Sequence, residues 1–168
     1  MRARNDSPIP QILVAYFSLS GNTRRVAELI HSLVGGDLFE ITTVVPYPQD
    51  YGEATRIAQA EKSRGFRPQL SSRAENFQAS DLIFLGYPNW WGDLPMALYS
   101  FMEEYDFSQK TVAPFCAHGG SGMSQTERTV REKLVGARVL PGLAIRGSRV
   151  RQSEDNVKAW SRSSKFLD

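Results

Sequence analysis

Three short stretches carry the residues best suited to chemistry. The first, Ser18-Leu19-Ser20-Gly21-Asn22-Thr23, supplies three hydroxyls, a carboxamide and a glycine just before an apolar-periodic segment. Hydroxyls at a helix start attract an anion together with the first-turn amides, which lack intrahelical acceptors and carry the positive end of the helix dipole. Such a cradle suits a phosphate dianion. The same residues also suit an ordinary turn in which Ser20 or Asn22 caps the helix. The second stretch, Pro88-Asn89-Trp90-Trp91-Gly92-Asp93-Leu94-Pro95, sets two tryptophans side by side. One indole can anchor a core or an interface while the other covers a flat ligand. The third, His118-Gly119-Gly120-Ser121-Gly122, is nearly all backbone. It offers N–H and C=O groups to the polar edge of a heterocycle at close range, or serves simply as a flexible turn.

Other chemistries lack their residues. No G-x-x-x-x-G-K-[ST] or G-x-G-x-x-G motif occurs. A single cysteine, Cys116, excludes an internal disulfide, and with only His31 and His118 beside it a metal centre is not expected. The sixth residue after Cys116 is Gly122, where a phosphatase loop needs arginine, and Gly119-Gly120-Ser121-Gly122 runs into Met123 rather than completing a serine-hydrolase elbow. A phospho-receiver needs acidic residues where Phe17 and Tyr87 stand. Cys116 reads as an inert strand residue, His118 as a candidate hydrogen-bonding partner in the third loop, and His31 as a surface residue facing away from it.

The three loops must be positioned by what precedes and follows them. Residues 11–17, 38–42, 81–87, 111–117 and 138–145 are short, largely β-branched or aromatic runs bounded by turn residues, and predict five strands. Residues 23–34, 51–64, 94–105, 124–134 and 154–166 place apolar residues three and four apart, and predict five helices. Strict alternation, with several strands too continuously apolar for a wet face, predicts an α/β fold: a doubly wound five-stranded parallel sheet of order 2-1-3-4-5 with helices on both faces. In that architecture ligands bind at the carboxyl ends of the strands where the order reverses, which is where all three loops begin.

A length of 168 residues, 41% of them hydrophobic, fits one domain over residues 9–168 preceded by a flexible arm over 1–8. No apolar run reaches the roughly 18–20 residues of a membrane span, and a cytoplasmic protein is expected. The net charge of +2 hides an asymmetry, since residues 1–118 carry 10 basic and 13 acidic side chains and residues 119–168 carry 10 and 5. The basic end has neither a basic helix stripe nor zinc-finger spacing, so a nucleic-acid partner is not expected. Arg146, Arg149 and Arg151 fall together after the fifth strand as a positive patch, either a solvated turn or a docking point for a phosphate or an acidic partner.

One loop for a phosphate, one for an aromatic face and one for a polar ring edge together describe a site for flavin mononucleotide, FMN. Here the chain resembles the flavodoxin family over Gln11 to Phe166. Ser18 to Thr23 is similar to the family's T/S-x-T/S-G-x-T phosphate loop, and Trp91-Gly92-Asp93 to its W-G-D flavin loop. Gly86-Tyr87-Pro88-Asn89-Trp90-Trp91-Gly92, followed by Pro114-Phe115-Cys116 and Gly119 to Gly122, is most similar to a bacterial flavodoxin-like branch, and the uninterrupted last strand resembles the short-chain form. The resemblance implies electron transfer through bound FMN. Ser18, Ser20, Gly21, Asn22 and Thr23 would then hold the phosphate, Pro88, Asn89, Trp90, Trp91 and Gly92 flank the ring, and His118, Gly119, Gly120 and Ser121 approach its pyrimidine edge. Trp91 is expected to stack on the ring and Trp90 to pack inward, with a peptide carbonyl near Trp91-Gly92 accepting from the reduced ring. Carriers of the resembled family are usually acidic, whereas this chain has a pI near 8.8, and its third loop holds only His118 where a second aromatic is common. Two roles remain: a carrier with a redox protein partner, or an NAD(P)H-dependent FMN quinone reductase with a quinone-like acceptor.

Overall fold

The computed structural model describes residues 10–166, so the arm expected over 1–8 lies outside the described residues. The central strands are consecutive buried residues: β1 (Ile12–Tyr16), β3 (Leu82–Pro88) and β4 (Thr111–His118). In β1 the period of two sends Ile12, Val14 and Tyr16 to one face of the sheet and Leu13, Ala15 and Phe17 to the other. Both sets are buried, which is why no polar alternation shows in the sequence. The first face packs on α1 (Asn22–Val34) and α5 (Glu154–Phe166) through Val26, Ala27, Ile30 and Val157. The second packs on α2 (Tyr51–Arg64), α3 (Met96–Glu104) and α4 (Thr126–Lys133) through Ala58, Leu98, Phe101 and Val130.

With β2 (Asp37–Glu40) at one side, the sheet is parallel with the expected order β2-β1-β3-β4-β5. The last strand departs from expectation. Instead of one run over 138–145 there are two pieces, β5 (Arg138–Val139) and β6 (Leu143–Arg146), each pairing with β4. Pro141 has no N–H for the ladder. Next to it, the Gly142 amide donates to a Glu127 carboxylate oxygen on α4, and the Pro141 carbonyl accepts from the Trp160 indole at 3.0 Å. A Cβ at Gly142 would lie 2.5 Å from Met123 Cε, so the break is packed tightly from the α4 side. A 3-10 turn, Gly147–Gln152, then leads into α5.

Helix ends follow local chemistry. Asp50 accepts from the Glu53 amide at 2.9 Å and starts α2, and Gly65 in the left-handed region closes it. Pro95 starts α3 two residues later than the periodicity predicts, because proline supplies the φ of an entry turn but no amide.

Within the sheet Gly86 faces Phe115 across the β3–β4 ladder, and a Cβ there would sit 2.1 Å from the phenyl ring. Gly86→Ala is therefore expected to lower unfolding free energy by about 1–3 kcal/mol through overpacking. Adding Phe115→Leu should recover part of the loss in a denaturant titration; an alanine variant as stable as the parent would contradict this packing.

Candidate functional site

The loop after β1 opens α1 without a side-chain cap. Gly21 occupies the N-cap position at φ 97°, a region in which a Cβ is strained. Ser18 Oγ is turned inward to accept from the Gly21 amide at 3.1 Å, and Ser20 Oγ accepts from the Asn22 amide at a long 3.4 Å. The loop hydroxyls thus shape the turn, while the start of the helix keeps its positive dipole end uncompensated by a carboxylate or a cap. Arg24 turns away to pair with Glu40 on β2 at 2.5 Å.

After β3 the chain makes a tight turn. Trp90 and Asp93 exchange backbone hydrogen bonds of 2.9 and 3.1 Å, and the two residues between them, Trp91 and Gly92, both have positive φ, at 57° and 74°. That is the geometry of a type I′ turn, which glycine tolerates and tryptophan does not favour. Asp93 pins the turn by accepting from the Leu94 amide at 2.7 Å and from the Tyr99 hydroxyl at 3.0 Å. The Trp91 indole N–H donates to the Thr55 carbonyl on α2 at 2.7 Å, and Lys62 Nζ donates to the Trp91 carbonyl at 3.2 Å. Trp90 instead points inward, 4% exposed, with edge-on contacts of 5.5 Å to both Phe17 and Tyr47.

The loop after β4 is bound to the second by Asn89. Its amide group donates to Gly122 O and Ser124 Oγ, both at 2.9 Å, and to Ser121 Oγ at 3.2 Å. Its own carbonyl oxygen is buried and has no hydrogen-bond partner. His118 Nδ1 accepts from the Gly120 amide at 3.0 Å, which places the proton of the neutral ring on Nε2. Burial first, and the Arg146 charge second, push the His118 pKa below its ordinary value. Cys116, 2% exposed, is pushed up to about 12 by burial, so it is a thiol and not a nucleophile.

These elements enclose a cavity of about 470 Å³ lined by Ser20, Asn22 and Thr23 from the first loop, Pro88, Asn89 and Trp90 from the second, and His118 and Gly119 from the third. Ser18, Gly21, Trp91, Gly92, Gly120 and Ser121 do not line it. Of these, Ser18 and Gly21 shape the first loop, and Ser121 serves the Asn89 clamp. The expected division between the two tryptophans is altered: Trp90 both packs inward and forms cavity wall, whereas Trp91 is 53% exposed and bonded to α2. The Trp91 carbonyl, expected near the ring, accepts from Lys62 Nζ.

A family model described as flavodoxin matches residues 11–164. The chain belongs to the flavodoxin family. The structure of a chain described as a flavoprotein from Bacteroides uniformis superposes with a TM-score of 0.80 at 31% identity, covering 92% of this chain and 99% of that one. A Lactobacillus acidophilus flavoprotein in complex with FMN gives 0.67 at 24%, covering 85% and 97%. A Fusobacterium nucleatum flavodoxin bound to FMN gives 0.61 at 14%, covering 93% and 97%. The last two likenesses establish the fold alone. No curated protein sequence matches.

For this chain, sequence reasoning misses Leu19, Tyr51, Ala117, Gly147 and Ser148, which also line the cavity, and places Arg146 in a separate patch. Tyr51 opens α2 and Gly147 follows the broken last strand. Their membership depends on loop paths that no local motif specifies. The arginine patch itself divides: Arg146 faces the cavity, Arg151 joins Arg25 around a neighbouring polar hollow, and Arg149 lines neither. Among the described residues no cluster of three metal-ligating side chains occurs, and no helix is long and apolar enough to cross a membrane.

The lowered His118 pKa means that the folded state binds this proton less readily than the unfolded chain does. Its contribution to stability is full above the unfolded value of 6.5 and falls away as pH drops from there through the folded value. A histidine NMR titration should find His118 titrating below 6.5, and Arg146→Gln should move it part of the way back; an unmoved midpoint would remove Arg146 from its surroundings.

Proposed function

We propose that this flavodoxin-family protein binds FMN in the cavity at the carboxyl edge of the sheet and serves as an electron carrier to a redox protein partner. The observation that carries this reading is the junction of two unlike surfaces in one cavity: an uncapped helix start with Ser20, Asn22 and Thr23, and a wall of Pro88, Trp90 and Ala117. The first suits a phosphate dianion and the second a flat apolar ring. The residues present fit the group in a further respect. Asn89, which lines the cavity, has a buried side-chain oxygen without a partner among the described residues, and a buried acceptor of this kind is costly until it is paired.

When bound, the isoalloxazine supplies the electron chemistry, and the protein supplies binding, orientation and field. Ser20, Asn22 and the α1 amides would hold the phosphate. Trp90, braced edge-on by Phe17 and Tyr47, gives one rigid wall. His118, held by Gly120 with its Nε2 proton outward from that bond, and the Arg146 guanidinium give the site a polar and electropositive side. Positive charge there favours added electrons on a bound group. No observation in the site specifically favours the quinone reductase alternative.

The test is a fluorescence-quenching titration of the purified chain with FMN and with riboflavin. FMN should bind at least tenfold more tightly, and Ser20→Ala with Asn22→Ala should cost FMN about 1.5–3 kcal/mol while leaving riboflavin nearly unchanged. Equal affinities would overturn the phosphate assignment. Under anaerobic conditions dithionite should bleach the FMN-loaded protein and NADPH should not. Rapid bleaching by NADPH would replace the carrier with a reductase.

A further inference from the structure

A second cavity, of about 410 Å³, lies on the other side of the β2–α2 connection and is not part of the FMN site. Its volume is in the range of small-molecule pockets, roughly 300–1,000 Å³. Its wall is apolar: Val44, Val45, Ile57, Phe66 and Pro68 all line it. Val45 is 80% exposed, Val44 53% and Phe66 44%. Three large apolar side chains left open around one hollow differ from scattered surface residues, and such a patch marks a contact site.

One ionisable group is built into this wall. Glu61 is 5% exposed, and one of its carboxyl oxygens accepts from the Tyr47 hydroxyl at 2.6 Å. Among the described residues the other makes no hydrogen bond. Glu61 itself lines the hollow. Burial raises the Glu61 pKa, with the Tyr47 bond and the Arg64 charge opposing. The rim carries that Arg64 guanidinium, held 5.1 Å from the centre of the Phe66 ring. A cation would meet the arginine at entry and an anion would meet the carboxyl at the base. What suits both is a neutral molecule with an apolar ring and one hydrogen-bond donor.

We infer that this hollow is a binding site for a small neutral aromatic alcohol, its ring between Val45, Ile57 and Phe66 and its hydroxyl donated to the unpartnered oxygen of Glu61. The occupant would lie one aromatic layer from the FMN cavity, because Tyr47 lines this hollow and touches Trp90, which lines the other. The site stands independently of whether FMN binds.

The probe is 2-naphthol, with 2-methylnaphthalene as the partner lacking the O–H, each titrated into the full chain with and without added FMN and followed by amide NMR. The expected result is saturable shifts at Val45, Glu61 and Phe66 under both conditions. Glu61→Leu should weaken 2-naphthol at least fivefold and leave 2-methylnaphthalene unchanged, and Glu61→Gln, which keeps an acceptor oxygen, should retain most of the affinity. Phe66→Ser, at an exposed position that leaves the core intact, should weaken both probes. Absence of saturable shifts overturns the proposal. So do shifts confined to Ser20 and His118, which would place the probe in the FMN cavity, and so does equal loss of both probes in Glu61→Leu. Sedimentation showing that the same face pairs two copies of the chain would also overturn it.

Discussion

Along β3 each residue from Leu82 to Pro88 pairs in parallel with β4, from Thr111 to Ala117, and this ladder determines what can meet at the carboxyl edge. Parallel pairing without a slip brings both strands to their ends at the same level. Pro88 and Ala117, the last partners, are both cavity wall, and Asn89 extends the ladder by donating its amide to the Ala117 carbonyl at 2.8 Å. A slip of one residue would exchange the two faces of β3 and send its buried set to the wrong helices. The Gly86 and Phe115 pairing opposes such a slip, because one position has no Cβ and its partner's ring fills the space. Packing within the sheet and geometry of the site are therefore one constraint.

On this base the loops are held by side chains whose work is mechanical. Asn89 joins the second loop to the third, Asp93 ties the second to α3 through Tyr99, and Lys62 and Thr55 tie the Trp91 turn to α2. Residues that carry a family motif are not all residues that line the cavity. In Trp91-Gly92-Asp93 the aspartate secures a turn, the glycine permits it and the tryptophan fastens it to a neighbouring helix. The cavity wall comes from Trp90, one residue earlier.

The strand and helix periods were legible because both faces of the sheet are covered, which leaves consecutive apolar runs in β1, β3 and β4 and three- and four-residue spacing in α1. The cavity lining was legible where local chemistry and position coincide, as in Ser20, Asn22 and Thr23 at a helix start. It was not legible where side-chain direction decides. Two adjacent tryptophans cannot be told apart by composition, since their directions depend on the positive φ of Trp91 and on acceptors on α2, 36 residues away in sequence. The last strand reads as one run in the sequence because its apolar pattern continues through Pro141 and Gly142. The missing amide at Pro141 and the packing of Met123 and Glu127 against Gly142 break it.

That break shapes how the sheet meets its surroundings. A sheet edge offers unpaired N–H and C=O groups, and a long straight one invites another chain to add a strand. Here β2, at one flank, is four residues long, and the opposite flank is divided into pieces of two and four residues by a proline without a donor. At the division the Gly142 amide and the Pro141 carbonyl are both turned to side chains of the protein's own helices. Strand-by-strand growth into an aggregate would have to start on a template only a few residues long, so the irregularity that defeats a simple reading of the sequence also protects the fold from polymerising through its edge.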